Sequence, residues 1–275
     1  MLVEHSKQPF IICVDTNLKF KDLKGSRLRC LYLTGLSRDK FLRLMNHLAS
    51  PYATISENDS WMPIGISQPK EARIEEETGF LPQQIRKELK NWWLASPKGA
   101  NTLNWDIAST CTIDGKYGVI LVEAKAHVSE LTDEAKGKKL SKQQAVNLNS
   151  FRNHQKIGRA INEARSALEP YLPGINISRD SNYQLSNRIA FAWKIASLGI
   201  PVVLCYLGFL RAYEMGDFFE SRNDWENCLR SHCNSETGKV VVPEAAWNNK
   251  IILKENNVPF CIVARSIIID IANTA

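Results

Sequence analysis

The chain has 275 residues, with 35 Lys and Arg against 29 Asp and Glu for a formal charge of +6, 44% hydrophobic and 23% charged residues. These values exclude a disordered or low-complexity chain and suit one core with an elaborated extension, large enough to fold without disulfide staples. The mild basic excess permits a polyanionic partner without demanding one.

Residues 1–65 read as a small N-terminal extension, followed by a larger unit over 66–275. The first residues, Met1 to Lys7, lack the basic segment and apolar stretch of a signal peptide. Phe10 to Val14 and Leu28 to Leu33 read as short strands. Ser37 caps a predicted helix with Phe41, Leu44, Met45 and Leu48 on one face, stopping at Ser50-Pro51. Asn58-Asp59-Ser60 and the stretch from Pro63 to Pro69 read as a linker. Pro82 opens a helix carrying Ile85, Leu89 and Trp92 or Trp93 at helical spacing, and Ser96 to Gly99 ends it.

Two strands follow, at about 102–113 and 116–126. A charged segment runs from Ser129 to Lys142, and a helix from about Gln143 to Leu168 places Ile157, Ile161, Ala164 and Leu168 on one face. A further helix runs from Ser181 to Leu198. The run Val202 to Leu207 is uniformly apolar, as in a strand covered on both faces. The tail adds a helix near 223–231 and apolar runs at Val240 to Val242 and Phe260 to Ile271. This order describes an α/β protein with a mixed sheet flanked by helices.

Seven cysteines include no C-x-x-C pair, and several sit in apolar runs, which suits reduced thiols of a cytoplasmic protein. Cys228, His232 and Cys233 match no usual zinc spacing. No apolar run is long enough to span a bilayer, so no membrane partner is expected.

The chemistry-bearing signal lies in the two strands. Asp114-Gly115 between Ile113 and Lys116 marks a two-residue hairpin turn, because both central positions need positive φ. That turn brings Asp106 opposite Glu123 and Asn104 opposite Lys125. Period-two alternation then collects all four on one face, and leaves Leu103, Trp105, Ile107, Cys111, Ile113, Ile120, Val122 and Ala124 on the other. Two carboxylates directly opposed need a counter-charge. A magnesium ion held by one or two carboxylates, with water and phosphate completing its shell, would supply it. Lys125 could orient a metal-bound water and offset charge on a phosphoryl transition state.

Trp105-Asp106 followed by the hairpin and Val122-Glu123-Ala124-Lys125 resembles the PD-(D/E)XK nuclease superfamily, the restriction-endonuclease-like fold, over about residues 80–208. The resemblance implies a Mg²⁺-dependent nuclease, with Mn²⁺ as substitute, hydrolysing phosphodiester bonds, foremost of DNA. Asp106 and Glu123 would hold the metal and Lys125 would assist the attacking water. Trp105 stands where the family usually has proline, and residues from Ser129 to Asp180 form an insertion of about 129–180. In the family's exonuclease branch the next helix carries Q-x-x-x-Y. Here Gln184 precedes Arg188 by one helical turn, so Gln184 reads either as support for the metal site or as a capping-box residue with Ser181. Arg188 reads as a phosphate ligand or an exposed helix residue.

Lys136, Lys138, Lys139 and Lys142 could grip a phosphate backbone or be a solvated connector, and Arg152, Lys156 and Arg159 extend them. Glu88 and His127 are weaker candidates. Alanine at Glu123 or Lys125 is expected to stop cleavage with the melting temperature nearly intact. Two other functions keep the same fold: a non-cleaving nucleic-acid-binding or assembly module, and a defence effector activated by a partner protein. The extension and the tail are each open to homodimer formation or substrate selection.

Overall fold

A computed structural model describes residues 24–97, 100–134, 136–234 and 240–269. The strand expected at Phe10 to Val14 lies outside them. The elements in order are α1 (Gly25–Thr34), α2 (Arg38–Ala49), β1 (Trp61–Met62), α3 (Gln83–Trp93), β2 (Ile107–Ile113) and β3 (Lys116–Lys125). They continue with α4 (Val128–Glu134), α5 (Lys142–Val146), α6 (Leu148–Leu168), α7 (Tyr183–Ser197), β4 (Val202–Leu210), α8 (Arg222–His232), β5 (Asn249–Leu253) and β6 (Val258–Ile268). The protein is α/β, with one six-stranded mixed sheet in the order β1-β2-β3-β4-β6-β5. Strands β1 to β3 are antiparallel, β3, β4 and β6 are parallel, and β5 closes the far edge antiparallel to β6.

Strand β4 is buried along its whole length, and its alternation divides the core. Val202, Leu204 and Tyr206 join Val119 and Leu121 of β3 under α3, α6, α7 and α8. Val203, Cys205, Leu207 and Phe209 face the opposite way with Ile120, Val122 and Ala124, where Cys30 and Leu33 of α1 and Phe41, Met45 and Leu48 of α2 cover them. The first two helices therefore close one face of the sheet. On the other face, α8 crosses so tightly that a Cβ on Gly208 would lie 2.4 Å from the Trp225 ring.

Leu28 to Leu33, read above as a strand, is helical. Gly25, Arg29, Cys30, Leu31, Leu33 and Thr34 are the buried positions, a helical rather than alternating spacing, and the buried Arg29 pairs with Glu214. The stretch read as a linker carries β1, which pairs with β2 at the sheet edge. The long helix expected from Gln143 breaks at Asn147, whose side chain accepts the Ser150 N–H and so caps α6. The tail supplies β5 and β6. Among the described residues no helix is long and apolar enough to cross a membrane. Six free thiols are described, all buried except the partly exposed Cys228.

Candidate active site

The hairpin turn has positive φ at both central residues, 48° at Asp114 and 74° at Gly115. Its register pairs Ile113 with Lys116 and Ile107 with Val122, so Asp106, one residue before β2, comes beside Glu123. The Asp106 carboxylate is fastened to the neighbouring strand: Oδ2 accepts the Ala124 N–H at 2.7 Å. The regular ladder stops there. Trp105 pairs instead with Ala72, and Asn104 is drawn away, donating to Glu71 at 3.0 Å and accepting from Arg73 at 2.7 Å. Asn104 thus does not join the site face. Leu103 and Trp105 are likewise not on the face expected for them, but pack on the side that carries Glu123, because the bend at Asp106 breaks the period of two.

Glu123 is 1% exposed and surrounded by donors. Its Oε1 accepts from Lys125 Nζ at 2.6 Å and from Gln184 Nε2 at 2.5 Å, and its Oε2 accepts from Arg188 Nε. Gln184 and Arg188 are four apart on α7 and so share one face of the helix. The capping-box alternative for Gln184 is not formed: the N-cap position is Asn182, in the left-handed region, without a side-chain cap bond. Arg188 is 8% exposed, and its guanidinium lies 4.8 Å from the centre of the Trp105 ring, which excludes the exposed-surface alternative. Trp105 is thus a platform for this arginine.

The two carboxylates respond oppositely to their surroundings. Burial disfavours the Glu123 anion, yet Arg188 and Lys125 outweigh it and hold the group ionised well below the ordinary carboxylate range. Asp106 is raised, first by burial and then by the Glu123 charge, against partial relief from Lys125 and the Ala124 N–H. Glu123 is therefore a paired anion, while Asp106 holds its proton into the neutral range, up to about 8.

His232, at the end of α8, belongs to this region, although its spacing gave no functional signal. It is 7% exposed, its Nε2 is buried without a hydrogen-bond partner, and burial together with Lys125 pushes its pKa down to about 4. Asn182 Nδ2 donates to its backbone carbonyl at 2.6 Å, tying the end of α8 to the start of α7. A second residue missed by the sequence reading is Glu71, whose charge also raises Asp106; it is paired with Arg27 at 3.0 Å. The bridge between Ala72 and Trp105, which no local pattern announces, places it there.

Lys138 sits with Nζ 4.9 Å from the centre of the Tyr183 ring, beside the start of α7, and burial lowers its pKa. Lys139 is exposed. Glu88 accepts from Gln84 one turn earlier on α3, and His127 Nδ1 lies 3.1 Å from Asp217 Oδ1, so other side chains engage both.

Of the oxygens a magnesium ion would use, Asp106 Oδ2 accepts the Ala124 N–H and both Glu123 oxygens accept from Lys125, Gln184 or Arg188. An acidic group kept from ionising first by burial and then by a second carboxylate would gain from a nearby divalent cation, and Mg²⁺ asks for only one or two carboxylates beside water and phosphate. No group of three His, Cys, Asp or Glu able to hold a metal is found among the described residues, so a closed protein-only cage is not what they form. No protein-family model, no curated protein and no solved structure matches this chain.

Proposed function

We propose that the chain is a Mg²⁺-dependent nuclease of the PD-(D/E)XK type, with Asp106 and Glu123 as metal ligands, Lys125 as catalytic lysine and DNA as the foremost substrate. The observation that carries this reading is the meeting of Asp106, Glu123 and Lys125 where a hairpin opens, beside a strand, β4, that runs parallel to the second hairpin strand. A restriction-endonuclease-like core of helix, hairpin, helix and buried parallel strand accords with that placement.

Bound magnesium would supply Lewis-acid polarisation of the phosphoryl oxygens and a more acidic water. The remaining work falls to the chain. Lys125, held by Glu123, presents a fixed ammonium against charge developing on the phosphoryl oxygens. Arg188 keeps Glu123 ionised, and its Nη1 lies 3.5 Å from Asn187 Oδ1. Gln184 fixes the orientation of the same carboxylate. His232, neutral, adds no second positive charge beside Lys125. Mn²⁺ would substitute, having the same preference for oxygen ligands.

The test incubates circular and linear DNA and RNA with the full chain in Mg²⁺, Mn²⁺ or EDTA, beside Asp106→Asn. Metal-dependent products that the substitution removes are expected; products that persist in EDTA or in Asp106→Asn overturn the reading. One observation favours a second reading, a non-cleaving nucleic-acid-binding or assembly module: Lys125, Arg188 and Gln184 already satisfy Glu123 without a metal. It predicts nucleic-acid retention without metal-dependent products and without response to Asp106→Asn.

A further inference from the structure

From Lys136 to Arg159 the chain carries seven basic side chains and no acidic one, although acidic and basic residues are nearly balanced over the whole sequence. This stretch begins at the site. The Tyr183 N–H donates to the Lys136 carbonyl at 3.3 Å, and Tyr183 directly precedes Gln184. It then runs out through α5, which buries no residue. α5 is nevertheless a built element, with a complete Ser141–Gln144 capping box.

At the junction of α5 and α6 three apolar side chains stand in solvent: Val146 at 85% exposure, Leu148 at 58% and Phe151 at 43%. Leu148, Arg152 and Arg159 follow one another along the outer face of α6, opposite the buried Ile157, Ile161 and Ala164, and Phe151 flanks them. Lys142 lies on α5, one turn before Val146. The result is a group of exposed apolar side chains with an aromatic ring on a segment whose own charges are all positive.

We propose that this arm binds single-stranded nucleic acid and leads it to the Asp106–Glu123 site; the inference rests on the nuclease reading and gives it a substrate class. Charge complementarity selects a polyanion. A duplex presents phosphates to an approaching helix and keeps its base faces stacked inside, so it offers nothing to Val146, Leu148 or Phe151. A single strand offers both parts, phosphates for Lys142, Arg152 and Arg159 and unstacked bases for the ring and its apolar neighbours. Base-on-aromatic contact of this kind tolerates any sequence.

The experiment measures binding by fluorescence anisotropy in EDTA, with labelled single-stranded DNA, single-stranded RNA and duplex DNA of equal length, so that cleavage plays no part. The full chain is compared with Val146→Ser/Leu148→Ser/Phe151→Ala and with Arg152→Glu, all at exposed positions. Single strands are expected to bind about tenfold tighter than duplex, and the triple variant to lose about tenfold on single strands with little change on duplex. The DNA and RNA arms identify which polymer it is. Duplex binding as tight as single-strand binding, or single-strand binding indifferent to both variants, overturns the proposal. So does a wild-type dimer that the triple variant makes monomeric, since a second copy then covers the patch. If single strands bind as expected but no metal-dependent product forms, the nuclease reading fails and the arm's ligand stands.

Discussion

Asp106 and Glu123 are neighbours with opposite energetic roles, and conservative substitutions separate them. Glu123→Gln leaves Lys125 and Arg188 buried without their counter-ion, and breaking a buried pair this way costs about 3–5 kcal/mol. A lower melting temperature is therefore expected together with lost cleavage, in place of the nearly unchanged melting that a surface triad implies. Asp106→Asn keeps an oxygen for the Ala124 N–H and removes the repulsion from Glu123, so it should keep or raise the melting temperature while removing metal affinity. Thermal melting and metal titration of both variants check the contrast. The pH dependence follows from the same directions. The stability tied to a protonated Asp106 is present at low pH and is lost as pH rises through its raised folded value. The stability from ionised Glu123 is present above the ordinary glutamate range and lost as pH falls through its depressed folded value. On the proposed magnesium site, binding would displace the Asp106 proton, so Mg²⁺ should raise the melting temperature more at about pH 8 than at about pH 6, and an equal rise at both would refute the assignment.

Elements position these residues through a few tight contacts. α8 lies against β4 where Gly208 leaves room for Trp225, and β3 pairs Lys125 with that same Gly208. Gly208→Val would force the helix away, at a cost of about 1–3 kcal/mol or more, and shift the end of α8 that carries His232. Chemical denaturation should report the loss, and a folded variant should lose activity with its nucleic-acid binding retained. From Ile107 to Lys125 the hairpin was legible in the sequence because its turn chemistry, register and alternation are local there, while before Asp106 the expected register and alternation fail because Trp105 pairs with the distant Ala72. The helix α1 was not, because a six-residue run of Leu, Cys and Tyr with one Arg satisfies either period until the sheet face is there to choose. The Gln184 ambiguity had a similar origin: Ser181 and Gln184 satisfy a capping pattern, but the buried Glu123 anion is the stronger partner.

At the scale of the whole molecule, the hairpin, α7 and β4 form only the middle of a sheet that both ends complete. β6 lies parallel along the entire length of β4, and β5 closes the edge beyond it. A chain ending at Asn234 would leave β4 as a long, flat, apolar edge, with α7 and the first two helices packed on its faces and its backbone unpaired on one side. Such a truncation is expected to be insoluble or aggregated, as measured by the soluble fraction on expression. Soluble, monomeric protein would show that residues 80–208 with the N-terminal helices suffice. The basic arm belongs to this scale as well. Its charge was countable in the sequence, but that α5 buries nothing and that Val146, Leu148 and Phe151 stand outside became visible only in the fold.

Sequence alone determined the hairpin, the juxtaposition of Asp106 with Glu123 and Lys125, and the buried character of β4, since each rests on interactions between residues near in the chain or on the period of one element. Only tertiary structure decided the surroundings of Glu123 and Lys125: Gln184 and Arg188 arrive at Glu123 from α7, the end of α8 brings His232 within the field of Lys125, and Trp105 turns under Arg188 because Ala72 pairs with it. A buried carboxylate must find its donors wherever packing brings them, so its partners follow from the meeting of distant segments and carry no local signature.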